Sequence, residues 1–171
     1  MCPEHFVTRA LVTAYHRIAV PPETFPPLVE ASSSSIAREY FVPSAAFAPF
    51  LARMRAILLR HDQDLLRIAV RNVTEDHDAF LRYADQAMCA LVLLFNHARA
   101  PEADATMSSL TRDLVDAALS LSGRHYLPYR LHATPAHFAR AYPQAAQFFA
   151  AKRRYDPDLV FRNHFWDRYG A

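Results

Sequence analysis

A chain of 171 residues can form one domain with a substantial buried core. With 52% apolar and 21% charged residues it is globular rather than disordered. The formal net charge is only +2 and the Arg residues are scattered, which speaks against a nucleic-acid partner.

Two cysteines, Cys2 and Cys89, are too few for a disulfide framework, and Cys89 sits in an apolar run that suits a buried free thiol. The longest apolar run, Met88 to Phe95, is far short of a membrane span. The N-terminus shows no basic stretch leading into an apolar one. A cytoplasmic protein without a membrane partner is expected. Only two glycines occur, Gly123 and Gly170. A phosphate-binding loop or dinucleotide fingerprint needs several glycines close together, so the chain cannot build a diphosphate cradle by those routes.

Residues 1–35 read as a prelude. His5 to Ala19 could form a helix, four prolines between Pro21 and Pro27 break any element, and Ser32 to Ser35 reads as a linker. Ile36 to Val42 is rich in β-branched and aromatic residues and stops at Pro43, as a strand does. A helix follows, with Phe47, Phe50, Leu51, Met54, Ile57 and Leu58 on one face. Leu65 to Val73 alternates, with Leu66, Ile68 and Val70 opposite Arg67, Ala69 and Arg71, which predicts a half-buried strand. A polar, partly helical connection is expected over Thr74 to Gln86. Ala87 to His97 is apolar on both sides, as a central strand is. Pro101 opens a second helix with Glu102 and Asp104 in its first turn. Its buried stripe is Ala103, Met107, Leu110, Leu114, Ala117, Ala118 and Leu121, and Gly123 is its expected C-cap. His125 to Leu131 is the last strand.

The order β-α-β-β-α-β predicts an α+β, ferredoxin-like antiparallel sheet with helices on one face and strand order 4-1-3-2. The most apolar strand is then central, and the strand holding Pro128 lies at an edge. The domain boundaries expected are 1–35 for the prelude, 36–132 for the sheet domain and 133–171 for a helical C-terminal segment. The helix-free face should carry Arg67, Arg71, Tyr126, Arg130 and His132, a basic and aromatic rim around an apolar floor that suits a small-molecule pocket. Covering of that floor by the Phe- and Tyr-rich tail is the competing reading. The nine His residues show no His-Glu-x-x-His spacing, so no metal site is expected. The third strand lacks the Arg-Gly-Phe type of signature that RNA-binding sheets carry.

The segment Lys152-Arg153-Arg154-Tyr155-Asp156-Pro157, continuing to Phe161, Asn163 and Trp166, resembles the end of FAD-linked oxidases of the vanillyl-alcohol oxidase type, in particular the sugar-lactone and alditol oxidase branch. That resemblance spans roughly residues 36–169. It implies a substrate-cap and C-terminal region of an FAD-dependent oxidase or dehydrogenase acting on CH–OH groups. The flavin would be bound mainly by a separate flavin-binding chain or domain, so the chain by itself is expected to be inactive. In that branch a His-Trp-x-Lys motif returns to the site. Here the matching stretch is Leu127-Pro128-Tyr129-Arg130, which puts Arg130 in the Lys place. The resemblance thus implies Arg130 as the catalytic cation, with Arg71, Tyr126, Tyr129 and His132 facing substrate or flavin. A non-catalytic ferredoxin-like binding or dimerisation module is the alternative.

Overall fold

In the computed structural model, residues 33–170 are described. The expected helix at His5–Ala19 and the prolines of the prelude lie outside them. Strand β1 (Ser33–Pro43) is followed by a single 3-10 turn (Ser44–Ala46) and helix α1 (Phe47–Leu58). Then come β2 (Leu65–Val73), β3 (Met88–Ala98), α2 (Pro101–Leu119) and a short β4 (Arg124–His125). Three helices close the chain: α3 (Pro135–Ala141), α4 (Ala145–Tyr155) and α5 (His164–Tyr169).

The four strands form one antiparallel sheet in the order β2-β3-β1-β4, the ferredoxin-like order that the sequence implies. Pairing of Val42 with Cys89, Tyr40 with Leu91 and Ile36 with Phe95 aligns these side chains on one face. There they meet Phe50, Met54 and Ile57 of α1 and Met107, Leu110 and Leu114 of α2 in the main core. Both helices present apolar residues every three or four positions, which is why each buries one stripe. Leu51, assigned to the α1 stripe by periodicity, is instead 40% exposed. It falls at the margin of the stripe, where the sheet no longer covers it.

Four local features differ from the sequence reading. Ser33 to Ser35 belong to β1, pairing with Ala98, His97 and Asn96, because an available partner strand outweighs their weak strand propensity. The connection after β2 has no helix; Asp76 turns it by accepting from the backbone N–H groups of Asp78 and Ala79. The left-handed residue after α2 is Ser122, φ 58°, and not Gly123. Gly123 serves close approach instead, since a Cβ there would lie 2.5 Å from the Phe41 carbonyl oxygen and 2.8 Å from that of Ala118. Cys89 is fully buried, as its apolar run implies, but its sulfur is not a free thiol.

The ladder of β4 also ends early. After the Tyr126 N–H donates to the Glu39 carbonyl, Leu127 to Ala133 leave β1 without strand structure. Pro128 has no N–H to continue the pairing. The tail packs at this edge rather than across the open face. Phe138, Tyr142, Phe149 and Trp166 form a second core against Leu119 of α2, Leu127, and Leu81 and Tyr83 of the β2–β3 connection.

Candidate functional site

Alternation places Arg67, Ala69 and Arg71 of β2, Ala90, Val92 and Leu94 of β3, and Ala37, Glu39 and Phe41 of β1 on the face away from α1 and α2. One end of this face is closed by Phe41, Met88 and Ala90 under Tyr83 and Tyr126. Tyr83 stacks on Phe41 with ring centroids 4.4 Å apart. Arg124 ties this cover down, pairing with Asp85 and donating to the Arg82 carbonyl.

Beside that cover sits Glu39, only 7% exposed. Arg71 reaches it from two strands away. Its partner on β3 is Ala90, whose partner on β1 is Phe41, so the Arg71 stem crosses β3 at a residue too small to block it. Its guanidinium Nη1 ends 4.0 Å from Glu39 Oε1. From the other side the Tyr129 hydroxyl stands 3.5 Å from Glu39 Oε2. Tyr126 packs edge-on to Tyr129, centroids 5.5 Å apart. Burial pushes the Glu39 carboxyl above the usual range, against the opposing pull of Arg71 and the Tyr129 hydroxyl. Burial, and then the Glu39 charge, raise Tyr129.

Of the residues singled out from sequence, Arg71 and Tyr129 therefore converge on one carboxylate, and Tyr126 packs against Tyr129 beside it. Arg67 shares the open face and is exposed. Arg130 and His132 do not join them: both engage Asp104 at the start of α2, on the helix-covered side. Arg130 Nη1 donates to Asp104 Oδ1 at 2.7 Å and lies 3.2 Å from His97 Nε2. His132 Nε2 lies 3.2 Å from the same Asp104 oxygen, and His132 Nδ1 faces the Arg38 guanidinium at 2.6 Å. Arg38 is 3% exposed and also donates to Thr111 Oγ1 and the Ala37 carbonyl. Burial, and secondarily Arg38, lower His132 to about 4. The expected placement of Arg130 and His132 on the open face is thus corrected: β4 stops before either residue, and strand alternation no longer governs where they point.

Departure of residues 127–133 from β1 opens a pocket at the sheet edge. It is lined by Arg38, Glu39, Tyr40, His125, Tyr129 and Arg130, among others. Arg130 therefore keeps a place in its wall although its charge is engaged by Asp104. Glu39, Arg38 and Asp104 were not singled out from sequence. The signal for the first two was present: two adjacent charges inside an otherwise apolar strand, so that one must lie on each face.

FAD is the cofactor that the resemblance implies, and the two glycines test whether these residues could hold its diphosphate. Gly123 is packed against the chain's own backbone and Gly170 against Trp166 and Phe149, and their N–H groups donate to the Ala118 and Trp166 carbonyls, so neither offers an open amide to a phosphate. These two glycines do not form a dinucleotide cradle. Among them no group of three His, Cys, Asp or Glu side chains could hold a metal ion, and no helix is long and apolar enough to cross a membrane.

The architecture is that of an α+β, ferredoxin-like sheet domain whose helix-free face gathers a buried carboxylate, an Arg and two Tyr residues. Residues 28–169 match the D-arabinono-1,4-lactone oxidase family, and the chain belongs to that family. No curated protein matches the chain. The stretch that carries the likeness most visibly has a structural role. Asp156 pairs with Lys152 and accepts from the backbone N–H groups of Val160 and Phe161. Asn163 caps α5 by accepting from the Trp166 N–H, and Arg153 lies over the Trp166 ring.

Proposed function

We propose that this chain is the substrate-cap and C-terminal part of an FAD-dependent oxidoreductase acting on CH–OH groups of sugar lactones, alditols or related alcohols. The observation that carries the reading is the convergence of Arg71 and Tyr129 on Glu39, with Tyr126 packed beside Tyr129, on the helix-free face of the sheet. A carboxylate, a guanidinium and phenolic hydroxyls at the rim of an apolar floor suit a compound with several hydroxyl groups. Family membership supports the oxidase chemistry and, with it, FAD supplied with its phosphate site by a flavin-binding chain or domain.

The work of this chain's own residues is to bind and orient. Arg71 supplies a half-exposed cation aimed across the face, which can hold an oxygen that gains negative charge. Arg130 lines the pocket from the edge as a second cation, with Asp104 taking part of its charge. Tyr126 and Tyr129 wall the site beside the cover formed by Tyr83.

The test is the chain fused to a flavin-binding domain of the same family and assayed with sugar lactones and alditols. Arg71→Met should lower kcat/KM by about 100-fold or more, the usual loss for one preorganised donor, without lowering Tm. Arg130→Met should give the smaller loss. A fusion that binds flavin yet oxidises no such compound would sink the reading, and so would full activity in Arg71→Met.

A further inference from the structure

Arg38 is a buried cation whose hydrogen bonds reach no carboxylate. It is 3% exposed, and three of its five N–H groups go to neutral acceptors: Nε to Thr111 Oγ1, Nη1 to the Ala37 carbonyl and Nη2 to His132 Nδ1. The negative charge next along this network, Asp104, lies beyond His132 and is shared with Arg130. Glu39 faces the other side of the sheet, where Arg71 offsets it. Two guanidinium groups, Arg38 and Arg130, thus stand against the one Asp104 carboxylate, and a positive charge is left over. A buried charge in surplus is costly to keep.

The cavity where β4 ends meets this surplus. Arg38, Tyr40 and His125 line it, and it has about 20 Å³ of free room. A water-sized occupant takes about 10–15 Å³ of such room, so the cavity admits one small species and no sugar. Its wall holds donors that the protein does not use. The Tyr40 hydroxyl, 1% exposed, has no hydrogen-bond partner. Thr111 beside it commits its own hydroxyl to the Met107 carbonyl and to Arg38 Nε. His125 leaves both buried ring nitrogens without a partner, and a neutral imidazole always carries one N–H. Arg38 has two further N–H groups.

Buried polar groups are rarely left unbonded, so three of them around one cavity point to an occupant. A cation is excluded by Arg38. Water satisfies the hydroxyl but leaves the charge. A monatomic anion only accepts, and so takes the Tyr40 O–H, the His125 N–H and the Arg38 N–H groups together while cancelling the surplus.

We propose that Arg38, Tyr40 and His125 form a binding site for a small monovalent anion of chloride size. Tyr129, Arg130, Leu131 and Ala133 complete the wall, so the anion joins β1 to the 127–133 segment by charge, at the point where strand hydrogen bonds have stopped. Arg38 and Tyr40 lie on the helix-covered side of β1, and the site is independent of the substrate reading of the open face.

The experiment uses the full chain in sodium methanesulfonate, an anion too bulky for the cavity, with chloride substituted at constant ionic strength so that general screening is fixed. Chloride should raise Tm saturably, by about 3–6 °C at tenfold excess over its Kd. The chloride NMR line should broaden with the protein present and sharpen again when bromide competes. Tyr40→Phe removes only the unpartnered hydroxyl and should weaken chloride binding about tenfold or more. Arg38→Met should abolish it, and Arg67→Met, on the opposite face, should leave it unchanged. A Tm blind to chloride with an unbroadened line means that the cavity holds water only and overturns the site. Undiminished chloride binding in Tyr40→Phe overturns it as well, because the ion then sits elsewhere. Should Arg38→Met fail to fold, Tyr40→Phe decides.

Discussion

Arg38 fixes the tautomer of His132. A guanidinium can only donate, so the His132 Nδ1 facing it at 2.6 Å must accept, which leaves the proton on Nε2 for Asp104 Oδ1 at 3.2 Å. The chain Arg38, His132, Asp104, Arg130 thus carries charge from the core side of β1 to the surface. Arg38→Met removes a cation that holds the His132 pKa down, so that pKa should rise from about 4 toward the ordinary histidine value. Imidazole NMR titration of the variant measures this; an unmoved midpoint would mean that burial alone sets it.

His125 and His132 are both held at about 4, each by burial first, then by His137 and Arg38 respectively. Their folded values lie below the unfolded value of about 6.5, so the folded state prefers them neutral. The stability they contribute is complete above about pH 6.5 and is lost as pH falls from there through about 4. Neither His125 ring nitrogen has a protein partner, so protonation there is uncompensated. The unfolding free energy from urea titration should fall steeply across that window, by the order of 1–3 kcal/mol for each histidine. His125→Phe should flatten the dependence.

Leu114 is fully buried between α2 and the sheet. Leu114→Ala should cost about 2–5 kcal/mol, measured as a shift in chemical denaturation midpoint at unchanged slope.

Gly123→Ala should be costly without creating any cavity, since the new methyl meets two carbonyl oxygens and a Val42 methyl within 2.8 Å. Overpacking against backbone costs about 1–3 kcal/mol or more. By contrast Ser122→Gly, at the positive-φ position, should be neutral or stabilising. A pair of thermal melts checks both signs.

Asp156→Ala removes the acceptor for two backbone N–H groups and the partner of Lys152. The tail should loosen first, seen as altered Trp166 fluorescence before the sheet unfolds, because Trp166 is the chain's only Trp.

The sheet was legible because β3 is apolar on both faces, β2 alternates in sequence from Arg67 onward, past a register shift at its start that leaves Leu66 exposed, and each helix repeats at three and four residues. Those periods are local and survive tertiary packing. Arg71 landed on the open face for the same reason. Arg130 and His132 did not, because parity counted from His125 does not survive Pro128: once the ladder stops, backbone torsions and not alternation decide direction. Glu39 was missed because its partner Arg71 lies two strands away, and such a pairing follows from strand order and from a small residue at Ala90, neither of which shows in β1 itself. Ser122 was missed because glycine is the default left-handed residue, and here the glycine one position later is needed for contact with Phe41.

The Lys152–Asp156 pair, the turn at Val160 and Phe161 and the Asn163 cap sit far along the chain from Glu39 and Arg71 and share no hydrogen bond with them. What makes this protein recognisable and what would set its appetite for ligands are therefore written in separate places. A chain could keep its telltale ending intact while its open face drifts to a new substrate or to none. The reverse also holds: specificity can be redesigned on β1 and β2 without touching the segment that holds the tail together.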